Sequence, residues 1–136
     1  MTTSEKSITI TNSSEIQPVT YDWGAVKWVA NDKLIDNCAQ SVGFVFVLPG
    51  KTNPEHHHTT CEEIVYMLSG VCDVRVGDQT TQLTAGQTLH IPRGVKHIIH
   101  NRGWEPVTYI ATFSASFRGT VFEDPRASQR PEDFMY

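Results

Sequence analysis

The chain has 136 residues, with 11 basic and 15 acidic side chains and a net charge of −4. That length suits one domain able to bury a core without disulfides, and an apolar fraction of 39% with 19% charged residues is that of an ordinary globular protein. The acidic balance and the lack of any Lys/Arg cluster argue against a nucleic-acid binder.

The first residues, Met1-Thr-Thr-Ser-Glu-Lys, are polar and lack the basic start and apolar stretch of a secretory signal. Residues 7–11 alternate Ile with Ser and Thr and predict a strand; residues 21–29, rich in aromatic and apolar side chains, predict another. Residues 42–48 form the longest apolar run, too short to span a membrane, and end at Pro49-Gly50. Further strands are predicted over 62–68, before Ser69-Gly70, and over 72–76 and 80–83, with Gly77-Asp78 as the hairpin turn between them. Residues 88–91, 97–101 and 107–116 complete the set.

No segment holds a 3.6-residue apolar period, so the expected class is all-β, a sandwich or a jelly-roll barrel. Several runs are apolar at consecutive positions, so one strand face lines the barrel and the other needs a second sheet, a terminal arm or a partner subunit. The expected boundaries are an N-terminal strand or arm over 1–20, a barrel over 21–118 and a C-terminal arm or tail over 119–136. Cys38, Cys61 and Cys72 make an odd count with no spacing pattern, which points to reduced, buried fillers in a cytoplasmic protein. Cys61 lies between two candidate metal ligands, where oxidation would disturb the site.

All six histidines fall between residues 56 and 100. In a strand, His56 and His58 share a face roughly 6 to 7 Å apart, so both imidazoles can converge on one ion while His57 points away. Glu63 follows five residues later, beyond an expected turn at Thr59-Thr60, and can reach the same ion from the adjoining strand. His97 can add a third imidazole from a distant strand. Three imidazoles and a carboxylate suit one divalent transition metal (Zn, Fe, Ni, Mn or Cu) rather than calcium or magnesium. Alternation discounts His100, whereas His90 is an additional acid–base candidate.

The spacing of these residues resembles the cupin family. Its first motif corresponds to Gly50, five residues, His56, one residue, His58, four residues, Glu63, six residues and Gly70. Its second corresponds to Gly86, five residues, Pro92, one residue, Gly94, two residues, His97, three residues and Asn101. The resemblance implies a single-domain cupin jelly roll with the metal inside, held by His56, His58, Glu63 and His97. Glu62 competes with Glu63, but the family's six-residue spacing before Gly70 selects Glu63. A single pair of motifs implies a monocupin, and such proteins are commonly homodimers. Gly50, Gly70, Gly86 and Gly94 fit turns needing positive φ, Pro92 stiffens the entry to the His97 strand, and Asn101 reads as a structural hydrogen-bonding residue.

A four-ligand ion with an open position favours catalysis over a structural role. The expectation is therefore a metal-dependent enzyme of non-redox isomerase, lyase or cyclase type. Its substrate would be a small carbonyl- or hydroxyl-bearing molecule, such as a sugar acid or a polyketide-like compound. Glu63, if released, or another pocket residue such as His90 would move the proton. An O2-dependent non-haem dioxygenase and a non-catalytic sugar- or small-ligand-binding barrel are the alternatives. The expected partners are the small molecule and a second copy of the chain, with no nucleic acid and no membrane. Tyr21, Trp23, Trp28 and Tyr109 read as core packing ahead of cavity wall, and Arg93 and Lys96 as solvated loop charges.

Overall fold

The structure is a computed structural model that describes residues 7–124 and 126. Its strands are β1 (Val19–Tyr21), β2 (Gly24–Ala30), β3 (Ser41–Val47), β4 (His56–His58), β5 (Glu63–Ser69), β6 (Val71–Val76), β7 (Gln79–Thr84), β8 (Thr88–Ile91), β9 (His97–His100), β10 (Val107–Phe113) and β11 (Thr120–Phe122). They form two sheets, ordered β1-β2-β3-β10-β5-β8 and β11-β4-β9-β6-β7. Every pairing is antiparallel, and this is the cupin jelly roll expected from the motifs. Among the described residues no helix is long and apolar enough to cross a membrane.

Period-two alternation decides what each strand puts inside. Ser41, Val45 and Val47 of β3 and Val107, Tyr109, Ala111 and Phe113 of β10 are buried. On β5 the inward set is Glu63, Val65 and Met67. Opposite them the second sheet contributes Cys72, Val74 and Leu83, together with His97 and Ile99. One hydrophobic cluster therefore joins the two sheets, and apolar burial of about 25 cal/mol per Å² is its main source of stability. Cys61 and Cys72 sit within it, and burial pushes the Cys72 thiol up to about 11, as befits an inert filler.

Four expectations need correction. Residues 7–11 are not a strand: Ile8 and Ile10 are exposed, Thr11 Oγ1 donates to the Val29 carbonyl of β2, and a 3₁₀ turn at Ser13–Glu15, capped by Asn12, follows. The 21–29 run is two strands, because the chain reverses at Asp22-Trp23 and pairs Tyr21 with Gly24. A Cβ on Gly24 would lie 1.8 Å from the Phe46 carbonyl oxygen, so this close return of β2 onto β3 requires glycine. Finally, β11 lies within the stretch expected to be an arm, and it pairs Thr120, Val121 and Phe122 with His58, His57 and His56. The run over 107–116 also stops early, at Phe113.

Gly50, Gly70, Gly86 and Gly94 all have positive φ, as their turn positions suggested, and Gly77 opens the β6–β7 hairpin at φ 59°. Asn101 ties three segments together. Its Nδ2 donates to the Val47 carbonyl at 3.0 Å and to the Glu105 carbonyl at 2.8 Å, and its Oδ1 accepts from the Gly103 amide at 3.0 Å. The side chain is fully buried, so losing it strands three backbone groups. Asn101→Ala is expected to cost about 2–4 kcal/mol in urea unfolding; a loss below about 0.5 kcal/mol would contradict this role.

Candidate metal centre

The same alternation that builds the core delivers the site. On β5, Glu63 points inward in line with Val65 and Met67, whereas Glu62 is exposed and points out. His56 and His58 flank His57 on β4, and His97 lies opposite His56 in the β4–β9 register. His57 turns the other way, with its Nδ1 3.9 Å from a Glu123 carboxylate oxygen. His56, His58, Glu63 and His97 each offer a ligand atom, and those atoms lie within 4.8 Å of one another. The four residues chosen from the sequence are thus brought to one place.

Three features show that the set fits a metal ion. First, each imidazole is held through Nδ1: His56 by the Pro54 carbonyl at 2.7 Å, His97 by the Val95 carbonyl at 2.9 Å and His58 by Thr120 Oγ1 at 3.1 Å. With the proton on Nδ1, every Nε2 lone pair is left to face the centre. Second, Glu63 Oε1 lies 3.3 Å from His58 Nε2 and 3.1 Å from His97 Nε2, yet these three buried atoms form no well-aligned hydrogen bond. Third, ligands at about 2.1 Å from a shared ion stand about 3–4 Å apart, and the two spacings from Glu63 to His58 and His97 fall in that range.

The electrostatics agree. Burial alone would raise the Glu63 carboxyl, but His58 and His97 beside it outweigh burial and hold it far below the ordinary carboxylate range. Burial would lower His97, but Glu63 outweighs it and the net shift is upward. His56 is pushed well down by burial and by the charges of its two imidazole neighbours, and burial also lowers His58. The metal-free centre is therefore an ionised Glu63 beside a His97 that holds its proton more tightly than an ordinary imidazole.

His56, Glu63 and His97 also line a cavity of about 90 Å³ that opens to solvent. Tyr21 and Trp23 form one wall, stacked with ring centroids 5.0 Å apart and planes 6° apart. Trp28 and Phe113 form another, 5.8 Å apart. Trp28 is paired with Gly43 across β2–β3, and a Cβ at 43 would come within 2.9 Å of the indole. The aromatic residues expected mainly as packing are thus cavity wall as well. Asn53, Tyr109, Arg118, Thr120 and Phe122 complete the polar and outer parts of the lining.

His90 does not join this site. Alternation on β8 sends Leu89 and Ile91 inward, leaving His90 on the exposed face, 3.1 Å from Glu62. Its proposed acid–base role is thereby corrected. Arg93 and Lys96 also lie away from the cavity, bonded to the Thr59 carbonyl and to Glu123. Arg118 and Thr120 escaped sequence reasoning because neither belongs to a motif and both precede or begin an unforeseen strand.

Residues 43–113, just over half of the chain, match the Cupin domain family. The chain belongs to the cupin family, and its buried His/Glu cluster is a metal-binding site for a divalent ion. It is 42% identical over 78 residues to the rhicadhesin receptor of Pisum sativum, covering 54% of this chain and 36% of that protein. It is 25% identical over 101 residues to tetracenomycin polyketide synthase protein TcmJ of Streptomyces glaucescens, covering 74% of this chain and 68% of that protein. Oxalate decarboxylase of Bacillus subtilis superposes with a TM-score of 0.77 at 23% identity, over 90% of this chain and 33% of that one. The chain therefore spans well under half the length of several of these relatives, and the last likeness concerns the fold.

Two outcomes follow for the centre. Thr120→Val removes the partner of His58 Nδ1 and is expected to weaken metal binding about 10–100-fold in chelator competition; unchanged affinity would contradict the role given to β11. Metal binding also competes with the proton on His97, which Glu63 helps to hold, whereas His56 and His58 are shifted toward the neutral form. Calorimetry over a range of pH in buffers of different ionisation enthalpy should show proton release that falls as pH rises through the elevated His97 value. Release that does not change with pH would contradict this coupling.

Proposed function

We propose that this protein is a metal-dependent enzyme that acts on a small molecule chelated through carbonyl or hydroxyl oxygens. The chemistry we assign is of the non-redox isomerase, lyase or cyclase type. The observation that carries this reading is a buried three-imidazole, one-carboxylate cluster opening directly into an aromatic-lined cavity. Similarity to TcmJ over most of both chains supports a polyketide-like, ring-bearing substrate, which stacked aromatic walls suit.

His56, His58, Glu63 and His97 would hold the ion, which supplies Lewis acidity toward a chelating oxygen. Manganese centres in the Bacillus subtilis oxalate decarboxylase place Mn among the candidates. The chain's own work is to orient, exclude water and handle a proton. Tyr21, Trp23, Trp28 and Phe113 present ring faces that align a flat substrate and keep bulk water away. Tyr109 lines the same cavity and is 3% exposed. Burial above all, and then the Glu63 charge, push its phenol well above the usual value, so it stays protonated and can donate to oxygen on a substrate.

Deuterium exchange next to a carbonyl, followed by NMR in D2O with simultaneous oxygen recording, tests this on protein loaded with Mn, Zn, Fe or Ni. Exchange or product formation without oxygen uptake is expected across a panel of hydroxy acids, keto sugars and polyketide-like diketones. Stoichiometric oxygen uptake would replace the reading with a dioxygenase, and inertness with every metal would leave a binding barrel. In the active case Tyr109→Phe should lower kcat about 100-fold while metal content stays unchanged.

The outer face of the six-stranded sheet supports a homodimer. Phe44, Ile110 and Tyr66 stand in one cross-strand row, and Phe44, Tyr66 and Leu68 are 40–43% exposed. Light scattering should return the mass of two chains; the mass of one at micromolar concentration would contradict this.

A further inference from the structure

The ladder that runs along β9 is interrupted just before the first metal ligand. Thr52 bridges to His100, and His56 pairs with His97. Asn53, Pro54 and Glu55 therefore stand opposite Ile98 and Ile99 alone, and the register slips by one residue, as in a β-bulge. Pro54 has no N–H to give a ladder. Its carbonyl is turned to His56 Nδ1 at 2.7 Å, and the next carbonyl, of Glu55, accepts from the Glu123 amide at 3.0 Å on the β11 side.

Asn53 closes the ladder at the point where the backbone leaves it. The Asn101 amide donates to the Lys51 carbonyl at 2.9 Å, and the Asn53 amide donates to the Ile99 carbonyl at 3.2 Å. In a regular antiparallel pair the Ile99 amide would return a bond to the Asn53 carbonyl. Here it donates instead to Asn53 Oδ1, at 2.7 Å. Asn53 is 6% exposed and Ile99 1%, so this amide is buried and needs an acceptor. With the side chain filling that place, the main chain at residues 53 and 54 is free to bend away.

We infer that Asn53 is a positioning residue of the metal centre. Its side-chain oxygen stands in for a main-chain carbonyl at the bulge, and this leaves the Pro54 carbonyl to hold His56 with Nε2 toward the ion. Removing Oδ1 strands the Ile99 amide. The remedy is to swing residues 53 and 54 back to the ladder, which takes the Pro54 carbonyl off His56. His97 does not depend on this device, because its Nδ1 is held by Val95, in a turn closed by the Val95 amide on the Pro92 carbonyl. The inference concerns the metal centre and holds for any reaction carried out there.

The test is imidazole ¹⁵N NMR on the metal-free full chain at mildly alkaline pH, which reads the tautomer of each histidine, with zinc affinity from chelator competition. Wild type should carry the His56 proton on Nδ1. Asn53→Ala should populate the Nε2–H form of His56 and weaken zinc binding about 10–100-fold, while His97 keeps its Nδ1 proton. Asn53→Asp, which keeps the acceptor, should retain the wild-type tautomer and bind zinc no more weakly. A role in stability alone would lower the unfolding midpoint and leave the tautomers as they are. An unchanged His56 in folded Asn53→Ala, or an equal change at His97, would overturn the assignment. Should Asn53→Ala not fold, Asn53→Asp decides: a retained Nδ1–H form sustains the assignment, and a shift of His56 to Nε2–H overturns it.

Discussion

An ionised carboxylate buried among three imidazoles is the constraint around which this barrel is arranged. Glu63 is 5% exposed, and an unpaired charge at that depth would cost several kcal/mol. His58 and His97 beside it offset that cost in the metal-free protein, and a bound cation would satisfy all four groups at once. The demand reaches well beyond the ligands. The Pro54 and Val95 carbonyls set the tautomers of His56 and His97, and Thr120 of β11, paired with β4, holds His58. Folding and metal binding are coupled through this one cluster.

Much of this was legible because period two is a strong signal. The alternation that puts Val65 and Met67 inside also decides between Glu62 and Glu63, and His56-x-His58 needs only a strand to converge. Gly77-Asp78 marked its hairpin, and the motif glycines marked their turns. What stayed hidden depended on partners distant in sequence. Residues 7–11 alternate like a strand, yet they form no ladder, and Thr11 meets β2 only through its hydroxyl on the Val29 carbonyl. Thr120 to Phe122 look like the start of a tail, yet the free edge of β4 recruits them. His90 looked chemically apt, and one step of register sends it to the exposed face.

The division of labour follows from that difference. The family match spans 43–113 and contains all four ligands. Tyr21, Trp23 and Trp28 precede it, and Arg118, Thr120 and Phe122 follow it, although all six line the cavity. The motif spacing thus builds the metal centre, while the wall around it is shared between the matched segment, with Tyr109 and Phe113, and the flanking ones. Relatives that share the barrel over a third of their length need share little of this wall. Fold and function are separable here at the level of individual strands.

The central claim is that four side chains hold one ion, and metal content per chain in tag-free protein tests it most directly. Wild type, purified or reconstituted and then freed of excess metal, should carry about one divalent ion per chain. His58→Ala and His97→Ala should lose it while keeping the circular dichroism of the barrel. Full metal content in both folded variants, or no retained metal in wild type after loading with Mn, Fe, Ni, Cu and Zn, would contradict the account.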